Sequence, residues 1–156
     1  MKGDTKHCKA CRKTLPAASF TEGRAICNSC RTNRTNETIS ASPQAFLRRM
    51  HTEVKSRSKR RGYKDFDLTV DDVYALWEKQ QGRCALSGLP LTHHYDKGAS
   101  KEFNASLDRI RSTEGYKIGN VQLVANRVNL MKGPLDEATL YWWITVLHKN
   151  LVEDRT

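Results

Sequence analysis

An aspartate and an asparagine in the second half of the chain have the residue types and the spacing of a cation site. Asp108 lies in a short β-prone run, ASLDRI, and a second β-prone run, VQLV, follows it. The apolar period then becomes helical, and Asn129 falls on the helical face that turns back toward the strand of Asp108. Two such oxygens suit a hard divalent cation whose other ligands are water and phosphate. This arrangement indicates phosphodiester hydrolysis.

The pattern SLDRI, GY, GNVQLV and an asparagine three residues before a lysine resembles the HNH (His-Me finger) endonucleases. More narrowly, it is similar to their Asp-Arg branch, which is common in phage proteins. The resemblance implies a ββα-metal core that cleaves DNA with Mg²⁺ or Mn²⁺ held by Asp108 and Asn129. It also implies that Asn120 steadies the loop between the strands. Arg109 stands where most of the family has the histidine that activates water, and we expect it to hold the scissile phosphate.

A general base must come from elsewhere, because a guanidinium cannot accept a proton at neutral pH, or water must ionise with help from the metal alone. His93 and His94, in the loop before the first strand, are the best candidates because a neutral imidazole accepts protons near pH 7. The alternative is that both are ordinary exposed loop histidines. Tyr95 and Tyr116 are weaker candidates, since a phenol has a pKa of about 10.

Two CxxC pairs near the N-terminus are separated by 15 residues, a spacing typical of four-cysteine zinc sites. The segment between the pairs is too short to bury a core without a metal. The pattern KxCxxC, LPxxxF, CxxC also resembles the zinc module that precedes many phage HNH domains. Redox-active or free thiols are the alternative. We predict that a structural Zn²⁺ is bound by Cys8, Cys11, Cys27 and Cys30.

The chain is strongly basic, with 27 Lys and Arg against 17 Asp and Glu and a formal net charge of +10. Such a charge indicates a polyanionic partner. The positive charge is concentrated in KSRSKRRGYK, at the end of a predicted helix. We interpret this stretch as a phosphate-binding patch, and the alternative is a charged face that is only solvated. The side chains predicted to contact DNA are Arg57, Lys59, Arg60 and Arg61.

These elements predict an α+β fold, in which a small zinc module is followed by helices and a ββα-metal core with a C-terminal helix. The expected division is a zinc module at 1–31, a linker at 32–44, a basic helical region at 45–81, and the nuclease core with its helix at 82–156. Ser87 stands where a second cysteine would pair with Cys84, which argues against a second zinc site. The C-terminal helix is predicted to pack on the core, with a homodimer interface as the alternative.

Three functions fit the sequence: an endonuclease acting on double-stranded DNA, a nuclease-derived DNA-binding protein that no longer cuts, and a basic RNA-associated structural protein. The nuclease is favoured because a carboxylate facing a phosphate backbone repels it unless a cation intervenes. The sequence has no apolar run of membrane-spanning length, and its charged first residues are unlike a secretory signal. We therefore expect a cytoplasmic protein, in a bacterial host if it is phage-encoded.

Overall fold

The computed structural model describes residues 4–62, 65–94 and 101–153, and in these ranges the helices are combined with three two-stranded sheets. Tyr95, a candidate base, lies outside them, as do residues 63 and 64 of the basic stretch. No helix in the described ranges is long and apolar enough to cross a membrane. The labelled elements, in chain order, are β1 (Thr5–His7), β2 (Thr14–Pro16), α1 (Asn28–Ser40), α2 (Pro43–Arg60), β3 (Phe66–Asp67), α3 (Val70–Lys79), β4 (Ala105–Arg109), β5 (Tyr116–Lys117), β6 (Val121–Ala125), α4 (Asn126–Lys132) and α5 (Glu137–His148).

The two strands and the helix that the sequence predicted are present as β4, β6 and α4. β4 and β6 are antiparallel, with Asp108 opposite Gln122. α4 starts directly after β6 and ends at Gly133, whose φ of 54° is a left-handed conformation that favours glycine. This short ββα unit therefore fixes the positions of Asp108 and of the α4 side chains that face it.

The main hydrophobic core lies between α2, α3 and the β4–β6 pair. α2 is capped by Ser42, whose Oγ accepts from the Ala45 backbone N–H, and Pro43 occupies its first position. Its buried side has the helical spacing that the sequence predicted, with Phe46, Leu47, Met50 and Val54. Because this side packs against β4, the basic end of α2 lies beside the strand that carries Asp108.

α3 is fixed at both ends by side chains that form hydrogen bonds with backbone groups. At its start, Thr69 and Asp72 form the predicted capping box, and the hydrogen bonds from Thr69 lower the pKa of the Asp72 carboxyl. After its end, Gln80 Oε1 accepts from the Leu123 N–H at 2.9 Å, and Gln80 Nε2 donates to the Leu123 carbonyl at 2.8 Å. This pairing ties α3 to β6, and no local pattern in the sequence predicts it.

The expected linker at 32–44 is helical through Ser40, which corrects the prediction for this segment. Its threonines do not end the helix, because each of Thr32, Thr35 and Thr38 donates its hydroxyl to the carbonyl four residues earlier. Near the end of α1, Ile39 is buried in the main core. A helix therefore connects the cysteine-rich module, with its own small core around Cys8, Phe20 and Cys27, to α2.

α5 does not pack on the ββα unit in the way that the sequence analysis favoured. It begins after Asp136, whose Oδ1 accepts from the Thr139 N–H at 2.8 Å, and a π-helical turn, Lys149–Glu153, follows it. Leu140 is its only buried residue. A row of large apolar side chains is about half exposed: Tyr141, Trp142, Trp143, Ile144, Leu147, Leu151 and Val152.

Candidate active site

A cleft of about 330 Å³ lies between the end of α2, the strand β4 and the helix α4. The β4–β6 pairing and the packing of α2 across β4 bring these three elements together. The cleft contains the two predicted metal ligands, the predicted phosphate-binding arginine, and two arginines and a serine of the basic stretch. Its polar lining residues are Arg57, Ser58, Arg61, Ser106, Asp108, Arg109, Ser112, Tyr116, Asn126 and Asn129.

The Asp108 carboxylate is 4% exposed and is held through one of its two oxygens. Oδ2 accepts from Lys132 Nζ at 2.8 Å and from Gln122 Nε2 at 3.0 Å. Within the described ranges, no hydrogen bond reaches Oδ1. Oδ1 is therefore the oxygen that Asp108 can offer to a cation in the cleft.

The Asn129 side chain has a defined orientation. Its Nδ2 donates to Ser106 Oγ at 2.7 Å and lies 3.4 Å from the Leu107 carbonyl oxygen. A carbonyl can only accept a hydrogen bond, so the nitrogen of the amide must face β4. The amide oxygen is thereby left as a possible ligand, in the same cleft as Asp108.

Lys132 is a part of this site that the sequence patterns did not predict. Its side chain is fully buried, and Nζ donates to Asp108 Oδ2, to the Arg109 carbonyl at 2.6 Å and to the Ile110 carbonyl at 3.5 Å. The available signal was its position three residues after Asn129, on the same face of a short helix. Burial of a lysine at such a position indicates a partner carboxylate.

Arg109 and Asn120 organise the turn between β4 and β6. Arg109 Nη1 donates to the Glu114 carbonyl at 3.0 Å, and its guanidinium lies 5.2 Å from the centre of the Tyr116 ring. Asn120 is buried, and its Oδ1 accepts a hydrogen bond from the Arg111 N–H. Its Nδ2 donates to the carbonyls of Arg111 and Gly115. These contacts hold the turn at the edge of the cleft.

Neither candidate histidine lines the cleft. The backbone of His94 makes two hydrogen bonds with the Asn104 side chain, through the His94 N–H at 3.1 Å and its carbonyl at 2.5 Å. Asn104 is four residues before Asp108, a separation of about 13 Å along extended backbone. His93 is half-buried rather than exposed, and its Nδ1 has no partner in the described parts of the chain. The structure therefore does not place these histidines among the residues that line the cleft with Asp108.

The structure separates the four basic residues that were predicted to act together. Arg57 and Arg61 line the cleft with Asp108. Arg60 lines a separate groove on the outer side of α2, which Arg57 also borders, and Lys59 lines neither of these two. Arg57 and Arg61 therefore reach the candidate site, whereas Lys59 and Arg60 lie on the helix surface beside it.

The four predicted zinc ligands form a cluster in which all four sulfurs lie within 4.8 Å of one another. Sulfurs at the corners of a tetrahedral zinc site are about 3.8 Å apart, from a Zn–S distance of about 2.3 Å. Hydrogen bonds from backbone N–H groups, of which that of Cys27 has the largest effect, lower the pKa of the Cys8 thiol to about 6. A hydrogen bond with the Cys27 side chain raises the pKa of the Cys30 thiol to about 12. In the described residues, no other group of three His, Cys, Asp or Glu side chains lies this close together. Cys84 is buried in the main core, away from the cluster, and its Sγ accepts from the Ala125 N–H.

No protein-family model and no curated protein matches the chain. Among solved structures, the chain is similar to one described as the rare-cutting HNH restriction endonuclease PacI, with 18% sequence identity and a TM-score of 0.43. The similarity covers 88% of this chain and 89% of that one. At this TM-score, function has to be argued from the site itself.

Proposed function

We propose that the protein is a metal-dependent endonuclease of the HNH type that hydrolyses phosphodiester bonds in double-stranded DNA. One observation carries the proposal: a single cleft combines an available carboxylate oxygen on Asp108, an available amide oxygen on Asn129, and three arginines. Oxygen ligands for a cation and guanidinium groups for a phosphate are the two requirements of metal-assisted phosphodiester hydrolysis. The net charge of +10 supports a polyanionic substrate.

The donor set fits Mg²⁺ or Mn²⁺. Both cations prefer oxygen ligands, and Mg²⁺ usually keeps several waters while it binds one or two carboxylates and a substrate phosphate. Asp108 and Asn129 would supply the protein ligands, and a cleft of about 330 Å³ leaves room for water and a phosphate group. When bound, the cation would stabilise negative charge on the phosphate and the leaving oxygen.

The arginines of the cleft supply the rest of the electrostatic stabilisation. Arg109 is held by the Glu114 carbonyl and lies over the Tyr116 ring, so that its guanidinium is oriented before substrate arrives. Arg57 and Arg61 add two more donors from α2 on the other side of the cleft. We propose that these three side chains hold the scissile and neighbouring phosphates in position.

The four-cysteine cluster is proposed to hold a structural Zn²⁺. Four thiolates complete a tetrahedron and leave no open position for substrate, so that this ion would act in folding. The small core around Cys8, Phe20 and Cys27 is too small to be stable without it. The proposed role of the module is to anchor α1 and to contact DNA.

A nuclease-derived protein that binds DNA without cutting it is the second candidate, and Lys132 favours it. The Lys132 ammonium is 2.8 Å from Asp108 Oδ2 and neutralises the carboxylate without a metal. The ammonium offsets the repulsion between Asp108 and a phosphate backbone. The presence of Asp108 therefore does not distinguish a nuclease from a DNA-binding protein that no longer cuts. A basic RNA-associated protein, the third possibility, still rests on charge and the cysteine pattern alone.

A homodimer is proposed through the exposed apolar face of α5. A helix that is apolar on all sides is normally buried. Residues 138–148 contain no Asp, Glu, Lys or Arg, in a chain of net charge +10, so that this is a face on which two basic copies would repel each other least. A dimer would carry two clefts and could cut both strands of a symmetric DNA site.

Cleavage of supercoiled plasmid by the purified zinc-loaded protein tests the nuclease, with EDTA, Mg²⁺ and Mn²⁺ compared. Asp108→Asn is the informative variant because it leaves an oxygen for Lys132, whereas an alanine would strand a buried ammonium at a cost of about 3–5 kcal/mol. We expect metal-dependent nicked or linear DNA from the native protein and none from Asp108→Asn, with DNA binding retained.

The matched control is Asp71→Asn, at an exposed position of α3, which should cut as the native protein does. Metal analysis of the same preparation should find about one zinc per chain. Intact plasmid under every condition, together with tight binding, would favour the non-cutting DNA-binding protein.

A further inference from the structure

Lys132 has an unusual environment for a lysine. It is among the largest fully buried side chains in the described residues, although lysine is rarely buried completely. Removing an ammonium from water costs several kcal/mol unless the charge is paired and its protons are bonded. Here each of three acceptors lies within 3.5 Å of Nζ: Asp108 Oδ2, the Arg109 carbonyl and the Ile110 carbonyl. The backbone of the β4 end thus holds the ammonium against one carboxylate.

The same Asp108 oxygen is held from a second side. Gln122 Nε2 donates to Oδ2 at 3.0 Å, and it also donates to Glu137 Oε1 at 2.6 Å. Gln122 is directly opposite Asp108 in the β4–β6 pair, so that its side chain lies on the same face of the sheet. Oδ2 is consequently engaged by two donors that belong to β6 and α4, and the carboxylate can turn only by breaking both contacts.

We propose that Lys132 is a positioning residue that restricts Asp108 to binding a cation through Oδ1 alone. The proposal rests on the cation site proposed above. Its consequence is metal selectivity. Ca²⁺ takes six to eight oxygens and accepts carboxylates through both atoms, whereas Mg²⁺ requires near-octahedral geometry and keeps several waters. A carboxylate limited to one oxygen removes a ligand that Ca²⁺ can use and that Mg²⁺ does not need.

Infrared difference spectroscopy of the zinc-loaded protein tests this directly, because the asymmetric and symmetric carboxylate stretches are farther apart in one-oxygen coordination than in two-oxygen coordination. Spectra are taken with and without Mn²⁺ or Ca²⁺, and Asp108→Asn assigns the bands. We expect the wide separation with both ions in the native protein. In Lys132→Met, which keeps the length of the side chain and removes its charge, the bands should move closer together. Calorimetry with Mg²⁺, Mn²⁺ and Ca²⁺ should then show the Ca²⁺ affinity rising at least about tenfold relative to the Mg²⁺ affinity.

Gln122→Met is the second variant, because Lys132→Met leaves the buried Asp108 carboxylate without its charged partner. It removes one donor to Oδ2 and leaves the ion pair intact, so that a smaller shift toward Ca²⁺ is expected. A narrow band separation in the native protein would overturn the positioning role. Equal changes in the affinities for Ca²⁺ and Mg²⁺ in a folded variant would overturn it as well. In either case, loss of Mn²⁺ binding in Asp108→Asn would leave the proposed nuclease site standing. Unchanged Mn²⁺ binding in Asp108→Asn would instead contradict the cation site itself.

Discussion

At the scale of single residues, hydrogen-bond partners decide which atoms of Asp108 and Asn129 remain available to a ligand. Asp108 and Asn129 each have one polar atom bound to the protein, Oδ2 to Lys132 and Nδ2 to Ser106. The remaining oxygen of each is the one available to a ligand. The chemistry of the site therefore depends on neighbours that touch no substrate, and their loss should alter metal binding before it alters the fold.

The two loop histidines are expected to have little effect on cleavage. His93→Ala and His94→Ala, made separately, should each change the cleavage rate by less than about tenfold, because a general base normally contributes about 10²–10⁴-fold. The physical reason is that neither histidine lines the cleft, and that the His94 backbone is bonded to Asn104, before β4 begins. Single-turnover plasmid cleavage is the measurement, with the exposed His7→Ala as the control. A loss above about 100-fold in one folded variant would return the role of general base to that residue.

At the scale of elements, α2 combines a buried apolar face and a basic end. Its apolar side packs in the main core, while its last turn carries the basic residues. Successive α-helical residues are about 100° apart, so that Arg57 and Arg61 differ by about 40° around the axis and Lys59 lies about 200° from Arg57. The same helical period that buries Val54 therefore directs two arginines into the cleft and the other basic side chains away from it.

This division predicts different effects for equal losses of charge. The double variant Arg57→Ala with Arg61→Ala should weaken DNA binding and also lower the cleavage rate of bound DNA at least about tenfold, since it removes donors next to the reacting phosphate. The double variant Lys59→Ala with Arg60→Ala is the control. It should weaken binding and flatten the salt dependence by a similar amount, with little change in the rate at saturating protein. Equal rate losses in the two variants would contradict the division.

At the scale of the whole molecule, charge and apolar surface are segregated. The chain carries a net charge of +10, whereas residues 138–148 form an uncharged helix whose large side chains are about half exposed. Exposed tryptophans in such a patch are typical anchors of protein interfaces. The basic surface beside the cleft and the apolar face of α5 would then serve different partners, DNA and a second copy of the chain.

The oligomeric state tests this arrangement. Light scattering during gel filtration should give twice the 17.8 kDa mass of the chain for the native protein. Trp142→Glu and Leu147→Glu should each shift the mass toward that of one chain, because a carboxylate at the interface would be desolvated without a partner. Ile118→Glu, at another strongly exposed apolar position, is the control and should leave the mass unchanged. A native protein with the mass of one chain would rule out the dimer.

The sequence by itself determined the local features of this protein. The change of apolar period predicted β4, β6 and α4, the spacing of the cysteines predicted their cluster, and Thr69 with Asp72 predicted the start of α3. These features could be predicted because turn chemistry, helical period and ligand spacing act over a few residues, or over one short loop.

Only the tertiary structure decided which distant side chains meet. Lys132 reaches Asp108 across 24 positions, and Gln80 reaches Leu123 across 43. The separation of Arg57 and Arg61 from their neighbours and the exposure of α5 likewise follow from how the helices pack on β4 and β6. No local pattern encodes these contacts, because each depends on the mutual orientation of elements that the core fixes only once the chain has folded.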